Sequence, residues 1–271
     1  GRRRRRSSAM GKQSAAFRAI AQARQSTRRF QPNRPIPTPI LQDILETTLR
    51  SPSSFNLQPT QIILLQQHEL KKKLSEEAML GPGNKYRVVD ASAVAVFLAD
   101  LEVHKRLDRI LELEKEEGMR EPGYMAVLPQ VATFWVGEGH AAKWFKQAAT
   151  TIMSRTTKPM PVVEDIQTWS YKNTALWAQT YVLAATSHDL ATSVMEGYDA
   201  RKVKEVLRIP DRYGIPMIVA TGYEYEEEKG PAKRTPRLPL HQVVFSDVFG
   251  QEFDVSQDAV YEDDEDEVAS S

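Results

Sequence analysis

Residues 162–187 constrain the fold most, because they read as one long helix that is mostly apolar around 176–185. A helix with apolar residues on every side belongs in an interior, so this one is expected to be the central buried helix. Uncharged apolar runs such as residues 91–99 are far too short to cross a bilayer, so the interior in question is a protein core. Around it, residues 61–65, 93–98, 190–195 and 217–221 read as strands, and Val243-Val244-Phe245 as a late strand-like segment. Helices are expected at 14–23, 69–79, 100–117 and 199–207, and Thr38 caps another with Leu41, Ile44, Leu45 and Leu49 as its apolar stripe. Residues 31–39 carry four prolines and must be an extended loop, while Gly81-Pro82-Gly83-Asn84 signals a turn. Residues 119–157 give only helical pieces between Gly- and Pro-marked loops. Strands alternate irregularly with helices and nothing repeats. The fold class is therefore α+β, a single domain with helices around a modest sheet.

With 271 residues, 41% of them hydrophobic, the chain can bury one substantial core or two small ones. It has no cysteine, which excludes disulfides, thiolate nucleophiles and Cys-bound metals. His68, His104, His140, His188 and His241 are scattered, with no two at metal-ligand spacing on one helix, and no metal site is expected. No Ser-His-Asp set is legible from spacing either. An enzyme so equipped needs a bound organic cofactor to carry its chemistry. Net charge is zero but unevenly placed: residues 2–6 are all arginine and residues 262–267 all acidic. Like-charge blocks repel and stay solvated, so a basic disordered tail (1–13) and an acidic one (256–271) should flank a domain at 14–255. The arginines would also suit nucleic acid or an organelle-targeting remnant; the solvated tail is the reading taken, with nucleic acid not expected as a partner. No secretory signal pattern is visible. A cytoplasmic protein is expected, with an organelle matrix as the alternative.

Several short segments carry candidate chemistry. Arg24-Gln25-Ser26-Thr27-Arg28 places two guanidinium groups and a hydroxyl at every second position, and Arg237 stands in a second basic stretch near the other end. The planar fork of arginine suits a phosphate dianion, although exposed arginines at a helix end would look the same. Ser51-Pro52-Ser53-Ser54-Phe55-Asn56-Leu57-Gln58-Pro59 breaks a helix with amides at a spacing that a plain helix stop does not require. Its small and amide side chains can lie against a flat ring and bond its edge. Asn84 and Arg87 follow the Gly-Pro-Gly turn, and Glu196-Gly197 lies between a strand and a helix capped by Asp199. A glycine there lets backbone approach a ligand closely.

Together these segments resemble the FMN-dependent nitroreductase family over residues 17–251, in the family's order, and are most similar to its bacterial NAD(P)H nitroreductase branch. The resemblance implies a three-layer fold, with a mainly antiparallel central sheet surrounded by helices, in an intertwined homodimer with FMN at the interface. Arg24, Ser26, Arg28 and Arg237 would hold the FMN phosphate and ribityl chain. Pro52, Ser53, Ser54, Asn56 and Gln58 would reach the ring from the other subunit. Asn84 and Arg87 would meet its pyrimidine edge, and the backbone at Glu196 and Gly197 would point at N5 and O4. No side chain is assigned a catalytic step, since the flavin carries the chemistry. Hydride would pass from NADH or NADPH to nitroaromatic or quinone-type acceptors by a ping-pong mechanism. The same fold also admits a reductive dehalogenase, a flavin-degrading enzyme or a non-catalytic flavin-binding redox sensor. Three positions depart from the family pattern: Thr60 stands where tryptophan is expected, Val194 where proline is, and Thr235 where a basic residue is. Trp135 and Trp144, within the aromatic-bearing stretch 124–145, are candidates for the acceptor-side wall, with a core role as the alternative.

Overall fold

The computed structural model describes residues 2–118, 164–225 and 235–253, with isolated positions between 119 and 163. These fall into two compact units, Gly1–Glu226 and Glu227–Ser271. The first holds helices α1 (Arg2–Ala23), α2 (Thr38–Leu49), α3 (His68–Ala78), α4 (Pro82–Asp90), α5 (Leu107–Glu116), α6 (Ile166–Ser187) and α7 (Ala200–Leu207). Its strands are β1 (Thr60–Leu65), β2 (Ala93–Asp100), β3 (Ala191–Met195) and β4 (Tyr213–Gly222).

The four strands form one antiparallel sheet in the order β1-β2-β4-β3. Its register runs Thr60↔Ala99 to Leu65↔Val94 on one side of β2, and Ala93↔Thr221 to Asp100↔Tyr213 on the other. β2 is buried at every position because both faces of the sheet are covered. Side chains alternate between faces, so Val94, Val96 and Leu98 enter a core with Leu74 of α3, Val88 of α4 and Val203 of α7. Ala93, Ala95 and Phe97 enter the other core, with Ile44 of α2 and Trp177, Tyr181 and Ala185 of α6. Phe97 meets Tyr181 edge-on, with ring centroids 5.7 Å apart. Burying one such aromatic side chain stabilises the fold by about 2–3 kcal/mol. The result is helix, sheet and helix in three layers, an α+β architecture; α6 buries one face against the sheet and leaves Lys172, Leu176 and Gln179 exposed, so it is not buried on every side as its composition implied. Among the described residues no helix is long and apolar enough to cross a membrane.

Several elements differ from expectation for physical reasons. α1 runs from Arg2, through the arginine run read as a tail, since arginine favours helix and charge alone does not break one. The expected turn at 81–84 is the start of α4: Gly81 takes a left-handed φ of 72° and Pro82 occupies the first turn, where a missing N–H costs nothing. Asp100 does not open a helix; it ends β2 fully buried, and α5 begins only at Leu107 after a 3-10 turn, Val103–Arg106. α6 begins at Ile166, where Asp165 caps it by accepting from Thr168 N. β4 extends back to Tyr213, tolerating Pro216 where the β2 pairing slips between Phe97 and Ala99. In the second unit Val243-Val244-Phe245 is not a strand; Phe245 makes one isolated bridge to Glu252. The acidic run, Trp135 and most of 119–157 lie outside the described residues. Trp144 is described and is 72% exposed, so it is not core.

Candidate functional site

Residues 24–30 leave α1 in extended form along the outer edge of β3, where Ser26 bridges Thr192 in parallel and Thr27 N donates to Thr192 O at 2.9 Å. An extended chain points alternate side chains to opposite sides. Thr27 and Phe30 are buried, and Gln25 Nε2 and Thr27 Oγ1 both reach the carboxylate of Glu224, at 2.9 and 2.7 Å. Around Ser26 the alternating positions face the other way, until the chain bends at Arg28. Arg24 is half-buried, Ser26 and Arg28 are exposed, and none of the three side chains bonds or ion-pairs with a described residue. Two cations and a hydroxyl thus lie close together along the β3 edge, with no partners among the described residues.

A second cluster forms farther along the same edge. Gly197 follows β3, and its carbonyl accepts from Leu80 N at 2.9 Å and Asn84 Nδ2 at 3.3 Å. Asn84 Nδ2 also donates to Leu80 O at 3.0 Å, and Arg87, one turn on along α4, donates from NH1 to Asn84 Oδ1 at 3.0 Å. The Asn84–Arg87 pair and the Glu196-Gly197 turn, 112 residues apart by Asn84 and Glu196, are therefore one constellation. A Cβ built on Gly197 would lie 2.3 Å from Asn84 Nδ2, so this glycine makes room for the amide. Glu196 is exposed, and the Nε of Arg87 is buried with no partner among the described residues. α3 holds α4 from below. Lys71 Nζ donates to Val89 O at 3.2 Å and to Ala91 O, and Ser75 Oγ donates to Lys85 O at 3.0 Å. Burial pushes the Lys71 pKa down, opposed by the charge of Asp90. Tyr198 closes the turn by donating to Ile215 O at 2.8 Å, and burial, then Tyr171 and Glu196, push its pKa up.

The amide loop lies elsewhere in the chain. Phe55, Asn56 and Gln58 all have positive φ, near 56°, 54° and 45°, an uncommon backbone for residues with a Cβ that must be held by its surroundings. The supports are specific. Ser54 N donates to Asn173 Oδ1 at 2.8 Å, Gln58 N to Ser53 Oγ at 2.9 Å, and Asn56 Nδ2 to Glu114 Oε1 at 2.8 Å. Gln58 Nε2 reaches Asn56 Oδ1 at 3.3 Å, and Arg106 NH1 donates to Gln58 O at 2.6 Å. Arg106 is anchored in turn by Asp100 at 3.1 Å, which Arg212 also meets at 3.1 Å. Pro52 and Ser54 are exposed and Ser53 is half-buried.

The loop leads into β1, one edge of the sheet, at the level of Ala99, whereas Ser26 lies on the β3 edge at the level of Thr192. Four strand spacings, about 19 Å, and about 20 Å along the strands separate the two places. Arg24, Ser26, Arg28, Asn84, Arg87, Glu196 and Gly197 thus share one edge, and Pro52, Ser53, Ser54, Asn56 and Gln58 lie at the other. Arg237 belongs to the second unit, where its NH1 bonds its own loop at Thr235 Oγ1 (3.0 Å) and Pro236 O (3.1 Å). The supporting residues Glu224, Glu114, Arg106 and Asp100 were not legible beforehand, since each meets its partner across a long stretch of chain. A buried-looking Asp ending an apolar strand was the one available signal.

A model of the Nitroreductase family matches residues 21–223. The Bacillus subtilis protein MhqN, an NAD(P)H nitroreductase by name, is 26% identical over 231 residues, covering 85% of this chain and 98% of its own. A Thermus thermophilus NADH dehydrogenase is 28% identical over 222 residues, covering 82% and 91%. Among solved structures, an Exiguobacterium sibiricum protein in complex with FMN superposes with a TM-score of 0.62 at 22% identity, covering 84% and 95%.

Proposed function

The chain belongs to the nitroreductase family, and on that premise we propose that it is a homodimeric FMN enzyme reducing electron-poor acceptors at the expense of NADH or NADPH. The residues present fit the cofactor. Arg24, Ser26 and Arg28 offer donors without partners among the described residues for its phosphate and ribityl chain. Among the described residues Arg87 keeps a buried Nε without a partner beside Asn84, which suits the oxygen and nitrogen acceptors of a flavin's pyrimidine edge. The chemistry that bound FMN would supply is hydride transfer from the nicotinamide to a nitroaromatic or quinone, in two separate encounters.

The protein's part is to bind, orient and tune. Arg87 would stand at the ring edge where negative charge gathers, and a fixed cation in a partly dry site would favour that charge. Asn84 holds Arg87 on one side and the Gly197 carbonyl on the other, so the cation and the turn keep a set distance. Backbone N–H groups of Glu196 and Gly197 are assigned to the reactive edge of the ring. Pro52, Ser53, Ser54, Asn56 and Gln58 are assigned to the ring's other boundary, supplied by a second copy.

The observation that carries this reading is the division of the candidate residues between opposite edges of the sheet. One chain does not bring them around one small molecule, and a second copy could. Exposed apolar side chains on the outer helices support such pairing: Phe17 of α1, Leu49 of α2 and Leu176 on the exposed face of α6. The test is direct. The purified protein should bind FMN, bleach with NADH or NADPH under anaerobic conditions, and regain its absorbance on adding a quinone. Absence of FMN binding refutes the reading. Binding and bleaching without reoxidation would instead make it a flavin-binding sensor.

A further inference from the structure

The edge that presents Arg24, Ser26 and Arg28 is held from behind by one carboxylate. Past the end of β4, the chain turns alongside residues 29–31, with Gln31 N donating to Tyr223 O at 2.9 Å and Tyr225 N to Arg29 O at 3.1 Å. Between those bonds sits Glu224, half-buried, bridged to Phe30, its own carbonyl accepting from Gln31 Nε2 at 2.8 Å. Its Oε1 accepts from Thr27 Oγ1 and its Oε2 from Gln25 Nε2. Arg24, Arg28 and Arg29 are all on the segment it grips, and it pairs with none of them: Arg29 lies over the Tyr225 ring at 5.0 Å. A carboxylate among guanidinium groups ordinarily takes one as partner. Here both oxygens are engaged by the neutral odd-numbered side chains, so the even-numbered cations keep their charge for another anion.

We propose that Glu224 is the positioning residue of the anion clamp. It fixes Gln25 and Thr27 inward, which turns Arg24 and Ser26 outward in the alternating chain and holds the bend that leaves Arg28 exposed beside them. The inference rests on the FMN reading, and concerns the phosphate end of the ligand alone. Glu224 itself lies behind the strand and would not touch the ligand.

The test compares FMN with riboflavin, which lacks the phosphate, in fluorescence titrations of flavin-free protein. Glu224→Ala should weaken FMN about tenfold, the scale set by losing one charge-assisted hydrogen bond, and leave riboflavin nearly unchanged. Glu224→Gln keeps an acceptor for Thr27 and should recover most of the loss. Thr27→Val removes one of the two bonds without changing side-chain shape, and should shift the FMN-to-riboflavin ratio in the same direction by about threefold should Glu224→Ala fail to fold. Equal weakening of both ligands would show a merely structural role, and unchanged or tighter FMN binding would show a charge that only opposes the phosphate. Either overturns the proposal while the wild type still binds FMN. A wild type that binds no FMN overturns the function reading and this inference with it.

Discussion

Replacing Gly197 by alanine sets a new methyl group 2.3 Å from Asn84 Nδ2, far inside any real contact. Gly197 does not have positive φ, so the backbone accepts alanine without strain. The obstacle is the end of a flexible side chain, and Asn84 can swing away. Doing so breaks its bonds to Leu80 O and Gly197 O and the one it receives from Arg87. Partly exposed bonds of this kind contribute about 1 kcal/mol each, so their loss costs about 1–2 kcal/mol once water replaces some. Alanine returns about 0.4–1 kcal/mol by restricting the unfolded chain. The net loss should be about 1 kcal/mol, or about 2–4 °C in Tm for a domain of this size. FMN affinity should fall far more, about tenfold, because Arg87 loses the amide that holds it. Denaturant unfolding of Gly197→Ala, Asn84→Ala and the double variant tests the contact itself. Both single changes remove the same bonds, so the double variant should be no less stable than Asn84→Ala, a coupling of about 1 kcal/mol. Additive losses would mean that Asn84 does not occupy the space above Gly197, and the constellation would be wrong.

Other outcomes follow from the same contacts. Arg106→Met frees the carbonyl of Gln58 and loosens the amide loop, whereas Arg212→Met takes a guanidinium from the same Asp100 without touching the loop. Both should destabilise by about 2–4 kcal/mol, but only Arg106→Met should lower the rate of flavin reduction measured by stopped flow. Burial pushes the Tyr181 hydroxyl, bonded to Thr221, up to about 12 from its usual value near 10. The neutral form is favoured in the fold, so this contribution is whole below about pH 10 and disappears by about pH 12, a change of about 2–3 kcal/mol. The stability gap between wild type and Tyr181→Phe, followed by urea unfolding, should narrow over that window; a constant gap would show that Tyr181 is not protected.

Much of the fold was legible because it rests on local pattern. The apolar stretch of α6 and the unbroken apolar run of β2 up to Asp100 each declare burial within a few residues. The alternation of Arg24, Ser26 and Arg28 was also readable, since period two needs no partner to be seen. What stayed hidden depends on contacts distant in sequence. Asp100 looked like the first residue of a helix, and only Arg106 and Arg212 closing on it make it the buried end of a strand. Gly81-Pro82-Gly83 looked like a turn, and only packing against α3 makes it the start of a helix that sets Asn84 and Arg87 on one face. Glu224 carried no signal at all until the strand it grips was in place.

The division of the candidate residues between two sheet edges is tested most directly by mixing inactive subunits. One variant would lack the loop amides (Asn56→Ala with Gln58→Ala) and the other the cations (Arg24→Ala with Arg28→Ala). In a mixed dimer, one site combines the intact edge of the first chain with the intact loop of the second. Equal mixing, after dissociation and reassociation, should therefore restore about a quarter of wild-type quinone reduction, because half the dimers are mixed and each has one whole site. No recovery from verified mixed dimers would contradict a site built from two copies.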